Sequence, residues 1–217
     1  MSARDDDRTS SGRPLAILVC AHRIWNVPPL YNVATRLAEA GYRVIVLGYQ
    51  AGSAPSSEKL GRAAWIVRLR LKTRRIPISS IRQGGAAFEF LRAARNVIER
   101  LEPDLLITFN EPANLLLKTK LRPTSKRVCW VLEYPEFERS RFFNRLIFRW
   151  SARHWSVADA FVAPTNERLA LHVGLEPRCL RRKTFVIHNT PSDRPLHVLE
   201  PSERAKNAIQ FLEETRA

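Results

Sequence analysis

A chain of 217 residues, 45% apolar and 26% charged, has the composition of a soluble globular protein and length enough to bury the core of one large domain. No apolar run reaches the roughly 20 residues that would cross a bilayer, and the first 13 residues, "MSARDDDRTSSGR", lack the apolar centre of a secretory signal. The net charge of +15 predicts a positive field and so an anionic partner: a phosphate-rich substrate, an acidic membrane surface or nucleic acid.

Residues 1–13 read as a disordered tail. From Pro14 the pattern becomes regular. "PLAILVC" (14–20) is a continuous apolar run, as expected of a strand buried on both faces. Pro28 and Pro29 suit a helix start, and Leu30, Val33, Ala34, Leu37 and Ala38 recur at helical spacing up to Gly41, a C-cap. "YRVIVLGY" (42–49) is a second strand, which completes a right-handed β-α-β unit. "QAGSAPSSEKLG" reads as a loop. "WIVRLRLKTRR" (65–75) alternates, with Val67, Leu69 and Leu71 on one face and Arg68, Arg70 and Lys72 on the other. One wet, basic face predicts an edge strand.

A helix is expected from about Ala86 to Leu101, then a strand at "DLLITF" (104–109), a short helix at "EPANLLLKTKL" and a strand at "RVCWVL" (127–132). "RFFNRLIFRWSARHWSV" (141–157) reads as a helix and "AFVAP" (160–164) as a strand. A further helix takes Thr165 as N-cap and ends at Gly174, and "TFVI" (184–187) is the last strand. Seven strands with mostly helical connections predict an α/β fold with an open, doubly wound, mostly parallel sheet over residues 14–193. Residues 194–217 read as a C-terminal tail with a short helix.

Several chemistries are excluded. The chain has no G-x-G-x-x-G, no G-x-x-x-x-G-K-[ST] and no G-x-S-x-G, which removes a simple dinucleotide site, a P-loop and an α/β-hydrolase nucleophile. Cys20, Cys129 and Cys179 are widely spaced, and the first and second lie in apolar runs. They read as buried thiols of a reducing compartment. His154, His172 and His197 have no metal-ligand spacing and read as surface or capping residues, and no metal is expected. The tryptophans read as packing residues.

Open α/β sheets bind ligands beyond the carboxyl ends of their strands. Those ends deliver His22, Arg23 and Asn26 from the first strand, then Asn110 and Glu111 from "LITF". "CWVL" delivers Glu133, Tyr134 and Glu136, and the last strand His188 and Asn189. Glu133 or Glu111 could act as a base there, or grip sugar hydroxyls; the plain alternative is that such loops are polar in any case. On the 141–157 helix, Arg141, Arg145, Arg149 and Arg153 recur every four residues beside Phe142, Phe143, Leu146, Ile147 and Trp150. Such a stripe suits an anionic membrane surface. It equally suits a helix that packs its apolar face on the sheet and solvates its arginines. Nucleic acid is disfavoured, because only charge supports it.

The stretch "ADAFVAPTNERLALHVG…KTFVIHNTPSD" resembles the segment that closes the N-terminal Rossmann-like domain of GT-B glycosyltransferases of family 4, and "LAILVCAHRIWNVPPLYNVATRLAEAGYRVIVLG" is similar to its opening β-α-β unit. The resemblance runs over roughly residues 14–193. Ala158, Asp159, Ala160, Pro164 and Thr165 match it, as do Val186, Ile187 and Asn189. His188 replaces the usual proline and Thr190 the usual glycine. His22-Arg23 stands where the family often has a Gly-Gly pair, and Glu133 where many members have histidine. The resemblance implies transfer of a sugar from a UDP- or GDP-sugar to a membrane lipid or glycan, with no tightly bound cofactor. In the family a second Rossmann-like domain binds the donor through a Glu-x7-Glu motif. Only 28 residues follow Asn189, so the resemblance implies an acceptor-binding half without its donor-binding half: either it works with a separate donor-binding subunit, or it is a truncated gene product. The expected location is the cytoplasm, at the inner face of the membrane. The competing expectation is a non-catalytic basic adaptor that docks on an anionic membrane or on a partner protein.

Overall fold

Leu15 to Cys20 are all buried, which is possible only for a strand covered on both faces. The computed structural model builds outward from this strand; it describes residues 12–21, 28–49, 55–61, 63–71, 79–110, 112–131, 150, 152–175 and 183–187. The elements run β1 (Leu15–Cys20), α1 (Pro28–Glu39), β2 (Arg43–Tyr49), β3 (Ser57–Lys59), β4 (Ala64–Leu69) and α2 (Ser79–Leu101). They continue with β5 (Leu105–Phe109), a 3₁₀ helix (Ala113–Lys118), β6 (Lys126–Trp130), β7 (Ala160–Ala163), α3 (Asn166–Leu175) and β8 (Lys183–Val186). One eight-stranded sheet has the order β3-β4-β2-β1-β5-β6-β7-β8. Every pairing is parallel except β3 with β4. This is the expected open α/β sheet. The strand order reverses between β1 and β5, which makes a topological switch point.

α1 covers one face with Leu30 and Ala34 fully buried against Ala16, Leu18 and Cys20 of β1. It ends as the sequence predicts. Gly41 takes φ +92°, its N–H donates to the Ala38 carbonyl at 3.1 Å, and the Tyr42 N–H donates to the Leu37 carbonyl at 3.0 Å. These two bonds are a Schellman cap, which needs the left-handed residue glycine supplies. α2 covers the other face through Phe90, Ala94 and Ile98. It begins at Ser79 rather than near Ala86.

At the amino edge of the sheet, two aspartates each clamp a pair of strands. The Asp104 carboxylate accepts from the Leu15 N–H at 2.8 Å, and the Asp104 N–H donates to the Leu15 carbonyl at 2.9 Å. Asp159 repeats the arrangement on Arg127, with both bonds at 2.8 Å. Charge-assisted bonds of this kind fix the register of β1 with β5 and of β6 with β7.

Several expectations are corrected. The sheet has an eighth strand, β3, inside the segment expected to be a loop; its three residues are exposed and too short to show a period. β4 is therefore interior, between β2 and β3. Arg68, expected on a wet face, is 7% exposed, because β3 brings Glu58 onto it. His154 and His172 are buried rather than surface residues, at 7% and 0% exposure; His197 lies outside the described residues. Cys20 and Cys129 are buried free thiols, as expected, and Cys179 lies outside the described residues. Trp130 and Trp155 pack in the core, whereas Trp65 and Trp150 are exposed.

His172 sits in an aromatic cage with its ring 5.0 Å from Trp155 and 5.8 Å from Phe161, and its Nδ1–H donates to the Arg168 carbonyl at 2.6 Å. Burial lowers its pKa; the hydrogen bond to the Arg168 carbonyl opposes the shift, and the Arg168 charge adds to it. The unfolded chain therefore binds the proton more readily. Stability is fully present above the ordinary histidine value of about 6.5 and is lost as pH falls below it. Thermal melts between pH 8 and pH 5 should show a midpoint that falls on the acid side, with a shallower fall in His172→Phe.

Candidate active site

All strands but β3 end at one edge of the sheet. The register sets Cys20, Phe109, Trp130, Val162 and Phe185 side by side across β1, β5, β6, β7 and β8. β1 and β5 lie adjacent at the switch point.

Asn110 closes β5 and is the one predicted rim residue among those described. It takes φ +57°, which asparagine tolerates better than most residues. Its N–H donates to the Trp130 carbonyl at 2.9 Å, and its carbonyl accepts from the Asn114 N–H at 3.1 Å. The turn thus joins the end of β5 to the end of β6 and starts the 3₁₀ helix. Below it, the Thr108 hydroxyl donates to Asn114 Oδ1 at 2.6 Å in a fully buried pair. Phe109 stacks on Trp130 with ring centroids 5.3 Å apart. The Trp130 indole N–H is buried with no hydrogen-bond acceptor, a local cost of about 1–3 kcal/mol. Rigid packing here holds the rim in one shape.

His22, Arg23, Asn26, Glu111, Glu133 and Asn189 lie outside the described residues, as do Tyr134, Glu136 and His188. The strand ends that deliver them are described, and those ends share the carboxyl edge. Arg141, Arg145 and Arg149 also lie outside the described residues. Arg153, the last of that stripe, is exposed on a helical stretch at 152–155. Trp150 beside it is 56% exposed and makes an edge contact with His154 at 5.9 Å. The charges of Lys118 and Arg95, both exposed, bear on the same histidine. Arg95, Lys118 and Arg153 are thus exposed cations on three helical segments, two of them close enough to act on His154. Among the described residues no group of three or more His, Cys, Asp or Glu could hold a metal ion.

A second polar cluster was hidden from the sequence. Arg68 donates from Nη2 to Glu58 Oε2 at 2.6 Å and from Nη1 to the Pro55 carbonyl at 3.0 Å. Tyr31 of α1 packs against the same core cluster as Ala64 and Ile66. Burial raises the Tyr31 pKa, Glu58 raises it further, and Arg68 opposes the shift. The only sequence signal was an arginine in register with buried Ala64 and Ile66.

The sequence pattern of the family described as Glycosyltransferase Family 4 matches residues 30–190. The chain belongs to glycosyltransferase family 4. Solved structures agree with the family 4 assignment at the level of fold. Sucrose-phosphate synthase from Thermosynechococcus elongatus is 13% identical with a TM-score of 0.57, over 81% of this chain and 48% of that one. TcCGT1 in complex with UDP is 12% identical with a TM-score of 0.60, over 94% and 55%. A UDP-glucosyltransferase from Polygonum tinctorium capable of glucosylating indoxyl is 10% identical with a TM-score of 0.58, over 94% and 57%. The chain thus spans about half the length of these GT-B glycosyltransferases. A comparison with curated proteins gave no significant match.

The rim of this family 4 domain rests on the Thr108–Asn114 bond. Thr108→Val removes the donor and keeps the shape, so denaturant unfolding should show a loss of about 1–3 kcal/mol.

Proposed function

We propose that the chain is the acceptor-binding half of a family 4 glycosyltransferase. A nucleotide sugar, UDP- or GDP-linked, binds on a second Rossmann-like domain, carried either by the same polypeptide or by a partner subunit. The acceptor, a membrane lipid or a growing glycan, binds at the carboxyl rim of the sheet. The observation that carries this reading is the pairing of a family 4 match with a parallel sheet whose strands open on one edge at the β1–β5 switch point. The UDP bound to one structural neighbour, and the description of another as a UDP-glucosyltransferase, support a nucleotide-sugar donor.

Within this scheme Glu133, and failing it Glu111, is the base that relieves the acceptor hydroxyl of its proton. His22, Arg23, Asn26, Asn110 and Asn189 orient acceptor and sugar. Catalysis depends on holding both reactants in one closed cleft, so the half-enzyme alone has little activity. The exposed cations Arg95, Lys118 and Arg153, with Trp150 exposed beside the last of them, favour work against an anionic membrane at its cytoplasmic face. No helix among the described residues is long and apolar enough to cross a membrane.

The test supplies the chain, co-expressed with a family 4 donor-binding domain, with tritiated UDP-glucose or GDP-mannose and a bacterial lipid extract. Label should enter the lipid fraction, with much less entering for the chain alone, and Glu133→Gln should lower the rate by about 10²–10⁴-fold. Lipid binding without label transfer in any combination would leave the adaptor role in its place. Separately, Trp150→Ala combined with Arg153→Glu should weaken sedimentation with phosphatidylglycerol vesicles by about tenfold or more. Undiminished sedimentation would remove the membrane from the scheme.

A further inference from the structure

β8 is an outer strand of the sheet, and one of its faces is apolar and open. Residues paired across parallel strands share a face. The register runs Cys20, Phe109, Trp130, Val162, Phe185, so all five lie on the face that α1 covers with Leu30 and Ala34. The first four are buried. Phe185 is 48% exposed, and Ile187, two residues on and on the same face, is 44% exposed. Ile187 still belongs to the ladder, because its N–H donates to the Ala163 carbonyl at 2.9 Å. The alternate residues Thr184 and Val186 are half-buried on the opposite face.

Topology explains why this strip stays open. Crossovers between parallel strands are right-handed, so the side they occupy follows their direction of travel. β1 to β2 runs toward β3, and its helix α1 lies on the strip's face. β4 to β5 and β7 to β8 run the other way. Their helices pack on the opposite face, α2 in the cluster of Leu15, Ile17 and Val19, and α3, through Leu169, in that of Phe161 and Ala163. A crossover that leads to β8 thus passes behind Phe185 and Ile187.

An apolar strip on an outer strand invites pairing with other molecules, and folded proteins cover it. The next stretch of chain has the pattern to do so. Residues 188–217 leave directly from Ile187 and lie outside the described residues. Among them Ala205, Ala208, Ile209 and Leu212 recur at helical spacing, and Ser202 after Pro201 suits an N-cap. Lys206, Gln210 and Glu213 fall on the other side. A helix this short is marginal alone and needs an apolar surface to fold on. The connection at 188–201 reaches up to about 3.3 Å per residue, far more than the width of one strand. Small Ala205 and Ala208 leave room for the protruding Phe185 ring.

We propose that the stripe of Ala205, Ala208, Ile209 and Leu212 docks on Phe185 and Ile187 as a helical strap that closes the open end of the sheet. The strap follows β8 with no return strand, so the crossover rule does not bar it from the α1 face. Docked there, it shields the strip from other molecules.

The experiment uses the full chain with labelled isoleucine and leucine methyls and reads NMR contacts through space. The Ile209 and Leu212 methyls should contact the Phe185 ring. A mixed sample, with methyl label and ring label on different molecules, should show no such contact. Contact in the mixed sample would give the strip to a second copy and overturn the strap, and absence of contact in both samples would overturn it too. A thermal cycle reads the docking independently. Phe185→Ser changes an exposed residue, and Ile209→Glu with Leu212→Glu lies outside the described sheet, so each variant should fold. Each should lower the melting midpoint by about 2–4 °C, and all three changes together should lower it no further than the larger of these falls. Fully additive falls, or a parent-like midpoint in the variant with Ile209→Glu and Leu212→Glu, would overturn the docking.

Discussion

Parallel strands cannot be joined by tight turns, and this one constraint organises the molecule. Each crossover must return the chain to the same edge, so every parallel strand starts at one edge and ends at the other. The two edges then divide the work. The amino edge carries the Asp104 and Asp159 clamps, whose paired bonds to Leu15 and Arg127 fix the register. The carboxyl edge inherits that register as a rigid row of strand ends. The loops beyond that row are free to vary in sequence while their anchors stay in place.

Much of the sheet is legible in the sequence because burial on both faces leaves continuous apolar runs. β1, β2, β5, β6 and β7 all have that signature, and Gly41 and Thr165 mark helix ends by mechanism. Gly41 supplies the positive φ, and the Thr165 hydroxyl accepts from the Arg168 N–H at 3.2 Å. The illegible parts depend on contacts distant in sequence. Nothing within "SSEKLG" shows that Ser57–Lys59 will pair with β4, since three exposed residues carry no period. That missed strand changes the meaning of Arg68. An alternating basic face looks wet until Glu58 arrives across the ladder. His172 fails for a similar reason, because its cage comes from Trp155, Phe161 and its own helix together.

The site shows the same division. The proposed location at the carboxyl ends rests on topology, and Asn110 closes β5 at that edge. The Arg68–Glu58 pair draws on β3 and β4, which no local motif connects. The family resemblance also favours the loops near β1 and β6 and says nothing of β3. Of the arginine stripe only Arg153 is described, and Lys118 and Arg95, which act on the same histidine, carry no sequence link to it.

The central claim is that the acceptor binds at the carboxyl edge of the sheet. Hydrogen exchange of the full chain, with and without a bacterial glycolipid extract in mixed micelles, addresses it directly. Protection is predicted at Ala21, Asn110 and Val131, with Leu15, Asp104 and Asp159 at the amino edge unchanged. Protection confined to the amino edge, or none beyond that given by empty micelles, would contradict it.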